Sequence, residues 1–487
     1  MYLPLDPKTG PLFRQIEQQL REQIEEGRYP PGSRLPSTRQ LAEELGVSRI
    51  TVKNAYAELE SDGLIGPREG SGTYVLPPCC LCEAGTEDEA GQTWPLWQVE
   101  ALAQNPPPPT ERPPLGDGHP APVDFTCAGD PRLFPAREFM QTMAAVIRHD
   151  GAEVLGYGPL QQQCPSLRHT IAQMLTNNGI LCTEDEILLT TGSQQALALV
   201  CHALLKRGDA VLVEDPSYNF ALALFRTLGL KLIGVPVDAE GMCVELIEPL
   251  LQKHRPRLIY TMPNFQNPTG ACLSGERRRQ LLALADRYNI PILEDDYAGD
   301  LRYEGRAQPA IKRLDPGGRV IYVGSFSKML MPGLRVGYLL AEGPIRGILA
   351  RHKQVTDLAT SPLILRALEH FMSIGRYQAH LRRAGRAYGK RRDALLAAIR
   401  RHLPTSVRIE SPQGGLFAWL QLPAGIDAEA LLDQARRSGV LFAPGSRFFI
   451  EPAKGLRFIR LNFATRTPDE IDLGIARLAQ ALKASQP

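Results

Sequence analysis

Eleven prolines fall between residues 77 and 123, four of them consecutive from Pro106 to Pro109. With an acidic cluster at Glu87-Asp88-Glu89, this stretch cannot bury enough apolar surface to pack. It divides the chain into parts that must fold on separate cores. The 487 residues are in any case too many for one core. We expect a domain over residues 1–76, a flexible linker over 77–123 and a second domain over 124–487. As a coil the linker would hold its ends roughly 40 Å apart, further with proline stiffening. Trp94 and Trp97 are apolar enough to dock on a folded part. Cys79, Cys80 and Cys82 have no histidine nearby to complete a zinc site, so no metal is expected.

The first part reads as three helices and a hairpin. Ile16, Leu20 and Ile24 make one apolar stripe on a helix from Pro11 to Glu26, which Gly27 ends. Ser37 to Gln40 is a capping-box pattern. Leu41, Ala42 and Leu45 face inward, Gly46 turns the chain, and Ser48 caps a third helix that buries Val52, Ala55, Tyr56 and Leu59. Leu64 to Val75 reads as a hairpin whose tip holds Arg68, Gly70, Ser71 and Gly72. Two helices joined by a glycine turn make a helix-turn-helix, whose second helix would present Arg49, Thr51, Lys53 and Asn54 to a major groove. Arg34, Ser37, Arg39 and Ser48 lie near helix starts, where phosphate is favoured. Residues 1–75 carry 9 Lys/Arg against 11 Asp/Glu, so overall charge does not argue for DNA. A helical protein-interaction module is the alternative at this point.

The second part alternates apolar runs with helical stretches: 186–190, 210–214, 257–260, 290–294 and 320–323. This is the pattern of an α/β fold with a mostly parallel sheet covered on both faces. From about residue 380 mixed helices and short strands predict a smaller α+β subdomain. Ser325-Phe326-Ser327-Lys328 follows the run 320–323, with Pro332-Gly333-Leu334-Arg335 beyond. A lysine there can form an imine with an aldehyde cofactor, and Ser325, Ser327 and Arg335 can bind its phosphate. Together they read as an anchor for pyridoxal 5'-phosphate (PLP). Five further clusters fit around Lys328. Gly192, Ser193 and Gln194 open a helix and can hold phosphate. Asp295 can keep a pyridine nitrogen protonated. Asn267 and Tyr297 can bond the ring's phenolic oxygen, Tyr218 can stack on the ring, and Arg460 can clamp a carboxylate.

The runs Arg34 to Ala42, Leu45 to Val52, Gly63-Leu64-Ile65 and Gly70 to Val75 resemble the GntR-type winged helix over nearly all of residues 10–76. That resemblance implies binding to double-stranded operator DNA. Residues 124–480 resemble the fold-type I aminotransferases. By matching motifs, Lys328 resembles the Schiff-base lysine, Asp295 the pyridinium partner, Asn267 and Tyr297 the phenolate partners, and Tyr218 the stacking aromatic. Ser193, Gln194, Ser325, Ser327 and Arg335 resemble the phosphate cup, and Arg460 the substrate-carboxylate arginine. Tyr157 resembles the tyrosine that reaches a neighbouring subunit's phosphate. The run Gln161-Gln162-Gln163-Cys164-Pro165 departs from the family pattern, which usually has a glycine there.

The combined architecture resembles the MocR/GabR regulators. That implies a homodimer, sometimes exchanging DNA-binding domains head to tail, that senses PLP itself or an amino-compound effector through an aldimine at Lys328. A working aminotransferase with an autoregulatory DNA-binding domain is the alternative, as no catalytic group is missing. No run approaches the ~20 apolar residues of a membrane span, no signal peptide is recognisable at Met1 to Asp6, and nine scattered cysteines are not a disulfide framework, so a cytoplasmic protein is expected. Beyond residue 123 the chain carries 45 Lys/Arg against 35 Asp/Glu. Arg382, Arg383, Arg386, Lys390, Arg391 and Arg392 are the densest basic run, either a solvated helix face or a surface that guides DNA.

Overall fold

The computed structural model describes residues 4–6, 10–68, 72–76, 95, 97–98, 101, 122–126, 129–157, 164–305 and 308–485. Gly70, Ser71, the linker cysteines, Trp94 and the run 161–163 lie outside them. The chain divides into two compact units, Met1–Arg112 and Pro113–Pro487.

In the smaller unit α1 (Leu12–Glu25), α2 (Thr38–Leu45) and α3 (Arg49–Ser61) precede a hairpin of β1 (Ile65–Arg68) and β2 (Gly72–Val75). Ile16, Leu20, Leu41, Val52, Ala55, Leu59, Ile65 and Val75 close one core. The Ser37 hydroxyl accepts from the Gln40 N–H at 3.1 Å and caps α2. The expected return bond from the Gln40 side chain does not form. Its Nε2 donates instead to Glu44 Oε1, 3.2 Å away on the next turn, where a charged acceptor is the stronger partner. Gly46 takes the left-handed conformation, φ 66°, that ends α2. The hairpin closes on the chain before α2, with Leu35 N donating to Thr73 O at 2.9 Å.

The larger unit contains β3 (Val123–Asp124), β4 (Ile187–Thr190), β5 (Ala210–Asp215), β6 (Lys231–Asp238), β7 (Gly241–Met242), β8 (Leu258–Thr261), β9 (Ile292–Asp296), β10 (Val320–Ser325) and β11 (Gly337–Leu340). Its main sheet runs β4-β11-β10-β9-β8-β5-β6-β7. The pairs from β10 through β9, β8 and β5 to β6 are parallel, whereas β11 is antiparallel to both neighbours. β4, β8, β10 and β11 are buried at every position, as strands covered on both faces must be. The carboxyl ends of β4, β5, β8, β9 and β10 therefore share one edge, where open sheets of this kind bind ligands.

After the helix Arg376–His402 come β12 (Arg408–Ile409), β13 (Phe417–Gln421), β14 (Val440–Leu441), β15 (Ala443–Pro444) and β16 (Phe458–Asn462). They form a smaller antiparallel sheet, β12-β13-β16-β15. β14 pairs instead with β3, far back in the chain. Val123, expected in the linker, is thus a strand residue, and Val123 and Phe125 join the C-terminal core. A two-residue strand has no pattern by which sequence could reveal it. Among the described residues no helix is long and apolar enough to cross a membrane.

Candidate cofactor site and nucleic-acid interface

β9 ends in Glu294-Asp295-Asp296. Strand alternation sends Asp295 to one face and its two neighbours to the other. Asp295 is 2% exposed. Its Oδ2 accepts from the Tyr260 hydroxyl at 3.0 Å, while its Oδ1 has no partner. Burial pushes its carboxyl up to about 7; the Tyr260 bond opposes this, and Asp296 and Glu214 add to it. A buried carboxylate oxygen without a donor is costly. A protonated ring nitrogen is the kind of group that would satisfy it.

Lys328 lies three residues beyond the end of β10. Burial pulls its ammonium down to about 8, and the charges of Arg460 and Arg335 add to the effect. A neutral amine is thereby accessible near pH 8, as a nucleophilic lysine requires.

Strand register assembles the anion-binding end. Thr190 of β4 pairs with Gly337 of β11, which pairs with Ser325 of β10. The turn after β4 leads through Gly192 into the helix Ser193–Leu204. Gly192 has φ 117°, and a Cβ there would meet Arg335 Nη2 at 2.9 Å. Only glycine lets that guanidinium lie against the turn. Arg335 itself is left-handed, φ 51°, a conformation that costs a non-glycine residue about 1 kcal/mol and clusters at functional sites. The Ser325 hydroxyl accepts from Ser327 N at 3.2 Å. Gln194 is partly engaged: its Nε2 donates to Phe220 O at 3.2 Å, which leaves its second amide hydrogen and its backbone N–H to offer an anion.

Arg460 comes from β16 of the smaller sheet. Its Nη1 donates to Asn267 Oδ1 at 2.9 Å. The guanidinium lies 4.3 Å from the Phe417 ring and 4.8 Å from the Phe448 ring, and its Nε has no partner. Burial pulls it down to about 10. Tyr218 caps the helix Asn219–Thr227 at the end of the loop after β5. Burial raises its hydroxyl to about 12, and it feels the charges of Asp295, Arg460 and Arg335. Tyr297 donates to Phe265 O at 2.7 Å. Asn267 and Tyr297, expected at a ring oxygen, are thus held here by protein groups, Asn267 through its acceptor and Tyr297 through its proton. Tyr157 is 73% exposed and is not drawn into the pocket of its own chain. Sequence reasoning missed Tyr260, Phe417 and Phe448. Each is an aromatic in an apolar stretch and reads as core; only the charged partner beside it reveals the role.

On the smaller unit Arg34, Ser37, Arg39, Ser48, Arg49, Lys53 and Asn54 are exposed. Thr51 is partly covered, because its hydroxyl bonds the Ser48 hydroxyl at 2.8 Å. Ser48 also accepts from Thr51 N at 3.1 Å and caps α3. Arg49 touches Thr38 Oγ1 at 3.4 Å, tying the starts of α2 and α3 together. A Cβ on Gly72 would lie 2.9 Å from Arg34 Nε, and Arg68 stacks 4.7 Å over the Tyr74 ring. The described residues of the wing and the loop before α2 thus carry adjacent cations.

The basic run on the helix Arg376–His402 divides. Arg391 is buried on Asp130 at 2.5 Å and on the Ala464 carbonyl. Arg392 is buried on Glu304 and Asp393, both at 2.7 Å. These two do not form a DNA-guiding surface, because helical periodicity turns them into the core. Arg382, Arg383, Arg386 and Lys390 are exposed.

Residues 126–478 match the aminotransferase class I and II family, and residues 12–75 the bacterial regulatory proteins of the gntR family. The fold and site thus define a winged-helix unit fused to an aminotransferase-type unit. The chain is 35% identical over 481 residues to the HTH-type transcriptional regulator TauR of Rhodobacter capsulatus, covering 97% of each. It is 32% identical over 481 residues to the "Probable rhizopine catabolism regulatory protein MocR" of Rhizobium meliloti, covering 97% of this chain and 94% of that one. Among solved structures it is similar to LysN, the α-aminoadipate aminotransferase of Thermus thermophilus complexed with N-(5'-phosphopyridoxyl)-L-leucine. That likeness has a TM-score of 0.70 at 35% identity over 74% of this chain and 92% of LysN. The chain belongs to the MocR-type regulators, which join a gntR-family unit to a class I and II aminotransferase unit.

Proposed function

We propose that this chain is a PLP-dependent transcriptional regulator that binds operator DNA and responds to PLP or to an amino-compound effector. The observation that carries the reading is the unsatisfied, buried Asp295 carboxylate oxygen, with Tyr218 feeling the charges of both Asp295 and Arg460 and Lys328 that of Arg460, on a chain whose other unit is a gntR-type helix-turn-helix. Lys328 would hold the cofactor covalently. Asp295 would face its ring nitrogen, and Tyr218 its ring. The turn at Gly192 and Ser193, with Ser325, Ser327 and Arg335, would hold its phosphate. When bound, PLP supplies an electrophilic carbon and an electron-withdrawing ring.

The effector's carboxylate would take Arg460 by charge-assisted bonds, drawing it from Asn267 Oδ1, while the Asn267 amide N–H would donate to the ring oxygen. An effector that binds one conformation better than another shifts the population of DNA-binding arrangements. We take residues 1–76, 77–123 and 124–487 as DNA-binding domain, tether and sensing domain of a cytoplasmic homodimer. The exposed Tyr157 suits contact with a second subunit, and the length of the tether permits a head-to-tail exchange.

The test is operator binding by the full chain, on genomic fragments selected by affinity, across a panel of amino compounds. Arg460→Ala should abolish the response to carboxylate effectors while PLP stays bound and basal DNA affinity is kept. An unaltered response would remove Arg460 from effector binding. The second reading, a working aminotransferase, is favoured by the lowered pKa of Lys328, since a partly neutral amine can move a proton. Sustained turnover with amino donors and a keto-acid acceptor at roughly 1 per second or faster would establish it over the sensor.

A further inference from the structure

Beneath the turn at Gly192 lies a chain of polar side chains that none of these roles uses. Thr191 N donates to Gln195 Oε1 at 2.9 Å. Gln195 Nε2 donates to Asp357 Oδ2 at 2.7 Å. Both Asp357 oxygens also accept from Lys353 Nζ, at 2.7 and 2.8 Å. Lys353 is fully buried, and Asp357 stands one turn further along the same helix, Pro344–Asp357. Thus a helix more than 150 residues away along the sequence grips the anion-binding turn through one amide.

The direction of every bond is fixed. A backbone N–H can only donate, and an ionised carboxylate can only accept. Gln195 is therefore held with its oxygen toward Thr191 and its nitrogen toward Asp357, and Lys353 Nζ, donating to both Asp357 oxygens, fixes where that carboxylate stands. The opposite side of the turn is held as well, by the Thr190 hydroxyl donating to Gly192 O at 3.0 Å. The peptide before Thr191 and the peptide after Gly192 are thereby pinned. Gly192, at φ 117°, would otherwise have the freest backbone in the pocket.

We infer that Gln195, Asp357 and Lys353 form a positioning relay that fixes the phosphate turn and so sets the chain's preference for a phosphorylated over an unphosphorylated pyridoxal. The inference rests on the proposal that this turn holds the phosphate of PLP. None of the three residues would touch the cofactor. Their effect would pass through the orientation of the N–H groups at Gly192 and Ser193, where preorganised donors are most effective. The ion pair adds no net charge, so its part is geometric rather than a long-range attraction.

The test is the ratio of two affinities in the full-length, cofactor-free chain, for pyridoxal phosphate and for pyridoxal, followed by absorbance. Both ligands attach to Lys328, so that step cancels in the ratio. Gln195→Leu should weaken pyridoxal phosphate about tenfold, the effect of an ordinary hydrogen bond or slightly more, and leave pyridoxal unchanged. The double variant Lys353→Met/Asp357→Asn removes both charges of the pair together, so neither is stranded. It should lower the ratio by about threefold, because the amide loses its enforced direction while the turn keeps Gln195; this variant decides if Gln195→Leu does not fold. An unchanged ratio, or equal weakening of both ligands, would overturn the relay and leave the PLP reading standing. A wild-type chain that bound pyridoxal phosphate no better than pyridoxal would overturn both.

Discussion

The two units present charge in opposite ways. On the winged unit Arg34, Arg39, Arg49 and Lys53 are exposed, and helix caps and side-chain stacking set where they stand. In the larger unit Asp295 is buried and Lys328 and Arg460 are half-buried, and loss of solvent displaces the pKa values of Lys328, Asp295 and Arg460 to about 8, 7 and 10. The difference follows from the ligands. A polyanion is bound largely by releasing its counterions, which needs solvated cations with room to adjust. A small cofactor is bound by donors and acceptors already in place in a dry pocket, where each is stronger and each is costly when unmet. Substitutions in the larger unit should therefore act on one specific bond, and those in the smaller unit on a shared electrostatic surface.

The largest effect should come from Lys328→Ala. Borohydride treatment of wild type should fix a pyridoxyl group on Lys328, and the variant should carry none. A reducible link surviving in the variant would place the anchor elsewhere. Next, Asp295→Asn removes the acceptor for the ring nitrogen, so PLP affinity should fall between about tenfold and a hundredfold, the range for a charged hydrogen bond. This change also carries a pH signature. The folded carboxyl titrates near 7 against an ordinary 3.8. Its stabilising contribution is complete below 3.8 and is lost as pH rises through about 7. The cofactor-free larger unit should therefore become less resistant to denaturant over that interval. Asp295→Asn should flatten part of the slope, the remainder belonging to Glu214 and Glu294, which burial raises to about 7, to Asp300, which it raises to about 6, and to Asp296, which it also raises. An identical slope in the variant would mean that Asp295 is already ionised in the folded chain.

The comparison also explains what could be read from sequence. The winged unit was legible almost residue by residue, because its signals are local: Ser37 and Ser48 cap helices three residues before the N–H each accepts, and Val52, Ala55, Tyr56 and Leu59 repeat at helical spacing. In the larger unit the residue types of the site were legible, since Lys328 and Asp295 stand in short runs at or just beyond strand ends and Arg460 in the middle of a short strand. Their partners were not. Tyr260 reaches Asp295 across neighbouring strands, Asn267 meets Arg460 across 193 residues, and Val123 pairs with Val440. No periodicity encodes such contacts. The basic run at 382–392 misled for a related reason. Composition records six cations, but only the packing of the helix shows that Arg391 and Arg392 point inward.

A smaller effect is expected at Arg49. Losing one cation at the start of α3 should weaken operator binding by about tenfold and reduce the salt dependence by about one phosphate's worth. Stability should change by less than about 0.5 kcal/mol, as for most exposed sites. PLP binding should be unaffected, and a loss of cofactor from Arg49→Ala would contradict the division of labour between the units. Unchanged operator affinity would remove Arg49 from the interface.

The smallest change separates two roles of one hydroxyl. Ser48 caps α3 through Thr51 N at 3.1 Å and also bonds the Thr51 hydroxyl at 2.8 Å, yet it is exposed where a phosphate would sit. Ser48→Ala should cost about 1 kcal/mol of winged-unit stability, the usual value of an N-cap, and weaken DNA binding only a few-fold. Ser48→Asp distinguishes the causes. Aspartate caps as well as serine and favours the positive end of the helix, so stability should return to wild type or above it. The same carboxylate would repel a phosphate, so DNA binding should fall below that of the alanine variant. If Ser48→Asp restored stability and operator affinity together, Ser48 would be a cap alone, and the phosphate contact would have to be sought at Arg34 or Arg49.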